Sequence, residues 1–175
     1  MIKIRQARRE EAGAIALCHV EADWQTYAPI FGARTVKREL SASLARWEAA
    51  LAAGDKIWVA QDDGRAAILG FAHLHGDWMG ALYLLEAWRR RGIGTALLSE
   101  VRRRAGEQGF ERIRFQVLEE NRAAIAFYEA RGGRSTGKVV VSEEGKDAWR
   151  DLVFEVPTDQ ALGDRGLKKS RKTPG

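Results

Sequence analysis

The sequence predicts one domain of mixed α/β architecture (α+β), in which a sheet of about seven strands carries four helices on its faces. Runs with strand-like alternation of apolar and polar residues are interleaved with stripes of helical period, in an order typical of a mixed sheet. The chain has 175 residues, of which 45% are hydrophobic and 30% charged, so it can bury one substantial core. These observations favour a globular protein with a single core.

The first quarter of the chain predicts a strand and two helices. Residues 2–5 alternate as a strand, and residues 10–22 place apolar side chains at helical spacing. Aromatic residues, a proline and a glycine in residues 24–32 interrupt that period and predict the end of the first helix. Thr35 is a candidate cap for a second helix, which Gly54 ends.

The middle of the chain predicts three strands and a helix. Residues 56–61 and 67–75 are joined by Asp-Asp-Gly-Arg, a strong hairpin signal, and residues 81–85 form the fourth strand of the chain. An apolar stripe over residues 92–108 predicts the third helix, which Gly109 ends.

The last third of the chain predicts a strand, a short helix and a terminal hairpin. The fifth strand covers residues 113–118, a helix capped by Asn121 follows, and two β-rich runs cover residues 135–142 and 149–156. The expected domain is therefore 1–156, followed by a basic and disordered tail, 157–175.

Charge and composition exclude several classes of protein. Five basic and two acidic residues give the segment 157–175 a charge of +3, which leaves +2 of the total +5 for residues 1–156. A body so close to neutral argues against a nucleic-acid partner. Cys18 is a lone cysteine, so we expect neither an internal disulfide nor a metal site. The sequence contains no apolar run of membrane-spanning length, so we expect a cytoplasmic protein without a membrane partner.

The segment around residues 82–95 has the pattern of an anion site. An apolar strand leads into Arg89-Arg90-Arg91, and Gly92 and Gly94 open a helix. Unpaired N–H groups and the positive end of the helix dipole favour a phosphate there. A tight strand-to-helix turn is the alternative explanation of the glycines. The dinucleotide pattern fails because Leu97 stands where its third glycine is needed, and the Walker pattern fails because no Gly-Lys-Ser/Thr stands at a suitable helix start.

Two motifs resemble the GCN5-related N-acetyltransferases. The acetyl-CoA loop of that family reads Gln/Arg-x-x-Gly-x-Gly/Ala, which Arg89-x-x-Gly92-x-Gly94 matches. Its second motif, Asn-x-x-Ala-x-x-Phe-Tyr followed by Gly, is matched by Asn121, Ala124, Phe127, Tyr128 and Gly132. Three positions depart from the family pattern: Glu86 stands where proline is common, Arg90 where glycine is common, and Gly133 where an aromatic residue is common.

The resemblance implies a fold, a co-substrate and a set of site residues. The sheet would be mostly antiparallel, with the fourth and fifth strands (β4 and β5 of the family) splayed apart to admit the pantetheine arm. Tyr128 would be the general acid that protonates the departing thiolate. Asn121 would cap its helix or touch the cofactor. The acetyl-CoA residues would be Leu82, Leu84, Arg89, Arg90, Arg91, Gly92, Ile93, Gly94, Thr95 and Asn121.

The acceptor side of the site is less defined. By resemblance, Trp24, Tyr27 and Phe31 are candidates for the wall of the acceptor pocket, with core packing as the alternative. His73 and His75, two apart on one strand, share a face and are candidates for the general base. Further candidates for the base are Glu21, Asp23 and Glu86, and a water chain would serve as well.

The function that follows is an acetyl-CoA-dependent N-acetyltransferase. It would act by direct attack of a primary amine in a ternary complex, with a small-molecule or peptide amine as acceptor and without a metal. A CoA-binding module without transfer is the alternative, and a nucleic-acid binder is a third hypothesis. The six tryptophans exceed what one core of this size needs, which suggests a homodimer surface.

Overall fold

A computed structural model of the chain describes residues 1–32, 39–63, 67–144 and 147–159. The described residues form seven strands and four α-helices, as the sequence predicts. In chain order they are β1 (Ile2–Gln6), α1 (Ala12–Phe31), α2 (Leu40–Ala52), β2 (Lys56–Asp62), β3 (Ile68–His75), β4 (Trp78–Leu84), α3 (Ile93–Glu107), β5 (Arg112–Leu118), α4 (Arg122–Glu129), β6 (Arg134–Glu144) and β7 (Asp147–Pro157).

The seven strands follow the order β1-β2-β3-β4-β5-β7-β6 in a mixed sheet. β2 pairs antiparallel with both β1 and β3, and β7 pairs antiparallel with both β5 and β6. β4 and β5 pair in parallel, with Trp78 opposite Arg114. The predicted fold class, a mostly antiparallel mixed sheet with four helices, is therefore confirmed.

The chain divides into two compact units. The first contains residues 1–75 and 79–101, and the second contains residues 76–78 together with the chain from Arg102 onward. The expectation of one domain over residues 1–156 stays a prediction.

The core of the first unit lies between α1, α2 and the strands β2 and β3. Trp47 of α2 is completely buried, and its ring meets Phe71 and His19 edge-on at centroid distances of 5.0 and 5.2 Å. Ile15 and Ile57 are fully buried in the same cluster. Burial of apolar side chains of this size stabilises the fold by about 2 kcal/mol each.

The first helix is longer than the sequence predicts. We expected α1 to end near residue 22, because Trp24, Tyr27 and Pro29 interrupt its apolar period, but the helix continues to Phe31. Pro29 lies in the last turn, where its missing N–H removes only one helical hydrogen bond. The helix ends at Gly32, whose N–H donates to the carbonyl of Ala28 at 2.9 Å.

The core of the second unit is formed by aromatic residues of β5, α4 and β7. The ring of Phe115 lies 4.2 Å from that of Tyr128 and 6.1 Å from that of Phe154, centroid to centroid. Thr158 is fully buried, and its hydroxyl donates to the carbonyl of Phe110 at 2.7 Å. Residues 157 and 158, which the sequence assigns to the tail, are thus packed in this unit.

Some predicted features lie outside the described residues. These are the Thr35 cap, the Gly64-Arg65 half of the hairpin signal and the tail beyond residue 159. None of the described helices is long and apolar enough to cross a membrane.

Candidate active site

The loop between β4 and α3 carries the predicted phosphate-binding residues. A short 3₁₀ turn, Glu86–Trp88, leaves the strand, and the backbone N–H of Glu86 donates to Oε1 of Gln25 at 2.7 Å. The Arg89 side chain donates to the carbonyl of Leu84 at 3.3 Å and to Oγ1 of Thr26 at 3.0 Å. These contacts fix the loop to α1, so its backbone conformation is defined before any ligand arrives.

The backbone of this loop passes through two left-handed conformations. Arg90 has φ 61°, and Gly92 has φ 80° with open space beside its Cα. Arg90 is exposed, and Arg91 lies over the ring of Trp88 at 4.9 Å. Glycine tolerates positive φ without a steric penalty, which explains why a glycine is common in the family at the position of Arg90.

The loop ends where α3 begins, at Ile93. The first N–H groups of an α-helix have no acceptor within the helix, and Ile93, Gly94 and Thr95 provide them here. The first hydrogen bond into the helix runs from Ala96 to the carbonyl of Gly92 at 3.0 Å. A glycine with open space beside it, followed by a helix start of this kind, fits a pyrophosphate.

Leu82 and Leu84 lie on one face of β4, and Tyr83 lies on the other. Tyr83 packs against the core cluster that contains α1, α2 and β3, together with Ala81. Because side chains alternate along a strand, Leu82 and Leu84 face away from that cluster. Gly70 of β3 allows this strand to approach closely, since a Cβ there would lie 2.7 Å from the carbonyl oxygen of Tyr83.

The acceptor candidates on α1 lie in its second half. Trp24 is 40% exposed, and Tyr27 is partly buried with its ring 6.4 Å from that of Phe31. An exposed tryptophan is not explained by core packing. Glu21 and Glu86 are exposed, whereas Asp23 is buried.

His73 and His75 share one carboxylate that the sequence analysis did not single out. Nε2 of His73 lies 2.7 Å from Oδ2 of Asp55, and Nδ1 of His75 lies 2.6 Å from Oδ1. Burial opposes ionisation of Asp55, but the hydrogen bonds from His75 and His73 outweigh it and hold the pKa of Asp55 below its usual value. Burial lowers the pKa of His73, while Asp55 raises the pKa of the exposed His75. His73 is therefore neutral near pH 7 and held by Asp55.

Tyr128 and Asn121 belong to the second unit. Oδ1 of Asn121 accepts a hydrogen bond from the N–H of Ala124 at 3.1 Å, which confirms its capping role. Tyr128 is buried against Phe115 and Phe127. A Cβ on Gly133 would lie 2.8 Å from the carbonyl oxygen of Tyr128, so a larger residue at position 133 would force this helix end to move.

Cys18 is unsuited to carry an acyl group. It is buried in α1, and burial raises the pKa of its thiol to about 12. The nucleophilic thiolate is therefore scarce at neutral pH. This agrees with direct transfer to the acceptor.

Three of the contacts that the sequence analysis did not predict involve candidate site residues of the first unit. They are the bridge of Asp55 to both histidines, the bond of Arg89 to Thr26, and a bond from the hydroxyl of Tyr83 to Asp23 at 3.1 Å. For the bond between Tyr83 and Asp23, the only sequence signal was Asp23 itself, because Tyr83 fits the apolar pattern of β4. Each contact joins residues at least 18 positions apart, beyond the reach of local patterns.

Comparison with known proteins decides the family. Residues 17–133 match the acetyltransferase (GNAT) family. The chain belongs to this family. The match contains both motifs and extends from α1 to the glycines after α4.

Two curated relatives are similar to this acetyltransferase in sequence. An uncharacterized N-acetyltransferase, YuaI of Bacillus subtilis, is 29% identical over 140 residues, which cover 74% of this chain and 79% of that protein. The peptidyl-lysine N-acetyltransferase YiaC of Escherichia coli is 34% identical over 76 residues, which cover 43% of this chain and 47% of that protein.

Solved structures share the fold. A GCN5-related N-acetyltransferase from Rhodopseudomonas palustris has a TM-score of 0.74 at 22% identity and covers 89% of this chain and 94% of its own. The acetyltransferase YncA from Salmonella typhimurium, solved with acetyl-CoA, has a TM-score of 0.69 at 20% identity and covers 91% of this chain and 95% of its own.

The family and its relatives confirm two of the predictions. The chain is a GNAT protein, and it is an N-acetyltransferase that uses acetyl-CoA. The individual site residues stay predictions.

Proposed function

We propose that this enzyme transfers the acetyl group of acetyl-CoA directly to a primary amine in a ternary complex. The observation that carries the proposal is the loop after β4, in which Arg90 and Gly92 have positive φ and α3 begins at Ile93. A structural neighbour, YncA, was solved with acetyl-CoA, which supports the same co-substrate here. No metal enters this mechanism.

The first unit would hold the co-substrate. The pyrophosphate would be bound by backbone N–H groups of residues 90–95, with Arg89, Arg90 and Arg91 adding positive charge. The pantetheine arm would follow the β4 backbone at Leu82 and Leu84. An N–H near Leu84 would stabilise the oxyanion of the tetrahedral intermediate.

The chemistry consists of three steps. The acceptor ammonium loses one proton, the neutral amine attacks the thioester carbon to form the C–N bond, and the tetrahedral intermediate breaks its C–S bond to release the CoA thiolate. The nitrogen loses a second proton as the amide forms, which balances the proton that the thiolate gains. Tyr128 would protonate that thiolate, a role its phenol suits because an ordinary phenol is protonated at neutral pH. Orientation of the amine against an already activated thioester would supply much of the rate.

A lysine side chain is the first acceptor to test. YiaC, which is similar over 43% of this chain, is a peptidyl-lysine N-acetyltransferase. The exposed Trp24 and the partly buried Tyr27 of α1 would line the path of the incoming alkylamine. Small-molecule amines belong in the same screen.

The experiment is a transfer assay with the full chain. Acetyl-CoA is incubated with a lysine-containing peptide and a panel of small alkylamines, and the products are identified by mass spectrometry. The expected result is an acetylated amine for the wild type and a kcat about 100-fold lower for Tyr128→Phe, with affinity for acetyl-CoA retained. An unchanged kcat in Tyr128→Phe would remove Tyr128 from the mechanism, and binding of acetyl-CoA without any acetylated product would contradict the proposed transfer.

A further inference from the structure

Asp23 is a buried carboxylate that is hydrogen-bonded to Tyr83, a residue of the strand that leads into the predicted site. It lies in the second half of α1 and is 3% exposed. The hydroxyl of Tyr83, on β4, donates to its Oδ1 at 3.1 Å. With Tyr83 as the donor, the hydroxyl hydrogen lies between the two oxygens.

The ring of Tyr83 is held in this orientation by its neighbours. Phe71 of β3 stacks on it at 5.9 Å with an interplanar angle of 24°, and His19 of α1 meets it edge-on at 4.8 Å. His19 is itself fixed, because the indole N–H of Trp47 donates to its Nδ1 at 3.1 Å. The hydroxyl therefore has a defined position relative to Asp23.

Tyr83 is more accessible than Asp23. It is partly buried, while Asp23 is inaccessible to a bulky substrate. A phenol oxygen can accept one hydrogen bond while it donates its own hydrogen to another group. An ammonium that reaches the hydroxyl of Tyr83 can thus pass a proton to the buried carboxylate of Asp23 without contacting it.

The position of Tyr83 on β4 places Tyr83 and Asp23 next to the residues proposed to bind the co-substrate. It stands between Leu82 and Leu84, whose backbone the proposed function assigns to the pantetheine arm, and its side chain lies on the face of β4 that carries α1. The same helix carries the proposed acceptor wall, Trp24 and Tyr27. The following inference rests on that proposed function.

We propose that Tyr83 and Asp23 form a proton relay that deprotonates the acceptor amine. The ammonium nitrogen gives one proton to the hydroxyl oxygen of Tyr83, and Tyr83 gives its own proton to Oδ1 of Asp23. The products of this step are a neutral amine, an unchanged Tyr83 and a neutral Asp23. The neutral amine then forms the C–N bond by attack on the thioester carbon, and the tetrahedral intermediate breaks its C–S bond. The nitrogen loses its second proton as the amide forms, which balances the proton that the CoA thiolate takes up. The proton on Asp23 returns to solvent through Tyr83 after the product leaves.

The relay predicts a difference between two kinds of acceptor. An alkylamine such as lysine is almost entirely protonated at pH 7 and needs the relay. Hydroxylamine is a much weaker base, largely neutral at pH 7, and needs no deprotonation before attack. Removal of the relay should therefore slow acetyl transfer to alkylamines and leave the rate of transfer to hydroxylamine unchanged.

The experiment compares Asp23→Asn and Tyr83→Phe with the wild type, using a lysine-containing peptide, a panel of small alkylamines, and hydroxylamine. Each variant should lose about 100-fold in kcat/KM on alkylamines at pH 7 and retain its rate on hydroxylamine. The double variant should be no slower than either single one, since both remove the same relay. Asp63→Asn, which alters a surface ion pair with Lys3, is the matched control and should retain both rates.

The pH profile supplies a second readout. In the variants, kcat/KM for the alkylamine should rise with pH as the fraction of neutral amine rises. Other ionisable groups contact the same elements: His19, at the edge of the Tyr83 ring, Arg89, bonded to Thr26 of α1, and Arg46, whose guanidinium donates to the carbonyl of Gly80 on β4 at 3.1 Å. These groups are retained in Asp23→Asn and Tyr83→Phe, so the change in the profile reports the relay.

The outcomes separate the relay from the proposed function. An equal loss on both acceptors would show that Asp23 is only structural, and unchanged alkylamine rates would overturn the relay, while the transferase assignment stands in both cases. Acetylation of hydroxylamine but of no alkylamine by the wild type would also overturn it. Failure of the wild type to bind acetyl-CoA would instead contradict the proposed function.

Discussion

Nε2 of His73 lies 2.7 Å from Oδ2 of Asp55, at the point where β2 begins beside the end of β3. The antiparallel register, with Lys56 opposite Leu74, brings Asp55 to the last residues of β3. The other carboxylate oxygen accepts a hydrogen bond from His75. One carboxylate therefore ties two strand ends together, which is a structural role for residues that the sequence suggested as candidate bases.

Asp55→Asn should destabilise the protein by about 1–3 kcal/mol at pH 7, because it replaces a carboxylate that accepts two hydrogen bonds and leaves the buried His73 with a weaker partner. Chemical denaturation measures this loss. The pKa of His75, followed by NMR, should also fall towards its ordinary value in the variant. His75→Ala should cost much less, since His75 is exposed, and an equal loss would contradict this account.

The same cluster makes stability depend on pH. Because the pKa of Asp55 is lowered in the folded protein, its contribution is present above its unfolded pKa and is lost as the pH falls through the folded value. His73 acts in the same direction, since burial lowers its pKa and stability is therefore lost as the pH falls below the unfolded value of 6.5. His75 has a raised pKa, so its contribution is present below the unfolded pKa and is lost above the folded one.

Glu11 and Arg5 form a second ion pair that makes stability depend on pH. The carboxylate accepts hydrogen bonds from Arg5 at 2.8 and 2.6 Å, and these bonds lower the pKa of Glu11 to about 2. Glu11→Gln should lose about 3 kcal/mol at neutral pH, and the wild type should lose the same contribution between about pH 4.5 and 2. Equilibrium unfolding at a series of pH values tests both statements. Glu10→Gln, at an exposed ion pair with Arg8, is the control with almost no expected effect.

Arg90→Gly should stabilise the protein. Arg90 has φ 61°, a conformation that costs a residue with a side chain about 1 kcal/mol relative to glycine. The expected gain is a few tenths to about 1 kcal/mol, because glycine also gains entropy in the unfolded state. Thermal unfolding measures it, and a clear loss of stability would contradict the strained conformation. Affinity for acetyl-CoA in this variant then reports what the Arg90 side chain contributes to binding.

Cys18 should be unreactive in the native protein. Its thiol is buried, and burial raises its pKa to about 12. A thiol-specific reagent should label it only after unfolding, at a rate set by the opening of the structure. Cys18→Ala should retain acetyl transfer, with a stability loss typical of a buried truncation. Rapid labelling of the folded enzyme would contradict this prediction.

Local signals in the sequence predicted most of the fold. Asn121 caps α4 as expected, and Gly54 and Gly109 follow the helices that they were predicted to end. The first helix was predicted too short, because the aromatic residues, proline and glycine of residues 24–32 interrupt its apolar period, although the helix continues to Phe31. Tertiary contacts can hold a helix together beyond the end of its apolar stripe, and the period of apolar residues does not predict that extension.

The candidate site was predicted in part. The motif around Gly92 depends on local backbone geometry, which a sequence pattern records well. The bond between Tyr83 and Asp23 joins residues sixty positions apart, and it depends on how α1 lies on β4. Such a contact follows from packing and not from spacing, so the sequence offered Asp23 as one candidate among several.

The central claim is that the loop after β4 binds the phosphates of acetyl-CoA, and calorimetric titration of acetyl-CoA into the full chain tests it most directly. The wild type should bind with roughly micromolar affinity, and Gly92→Glu should bind at least about 100-fold more weakly, because its carboxylate repels the phosphates. Gly54→Glu is the matched control, since Gly54 has φ 83° and open space beside it, as Gly92 has. Loss of binding in Gly92→Glu alone is the predicted result, whereas equal affinity in all three proteins, or no binding by the wild type, would contradict the account.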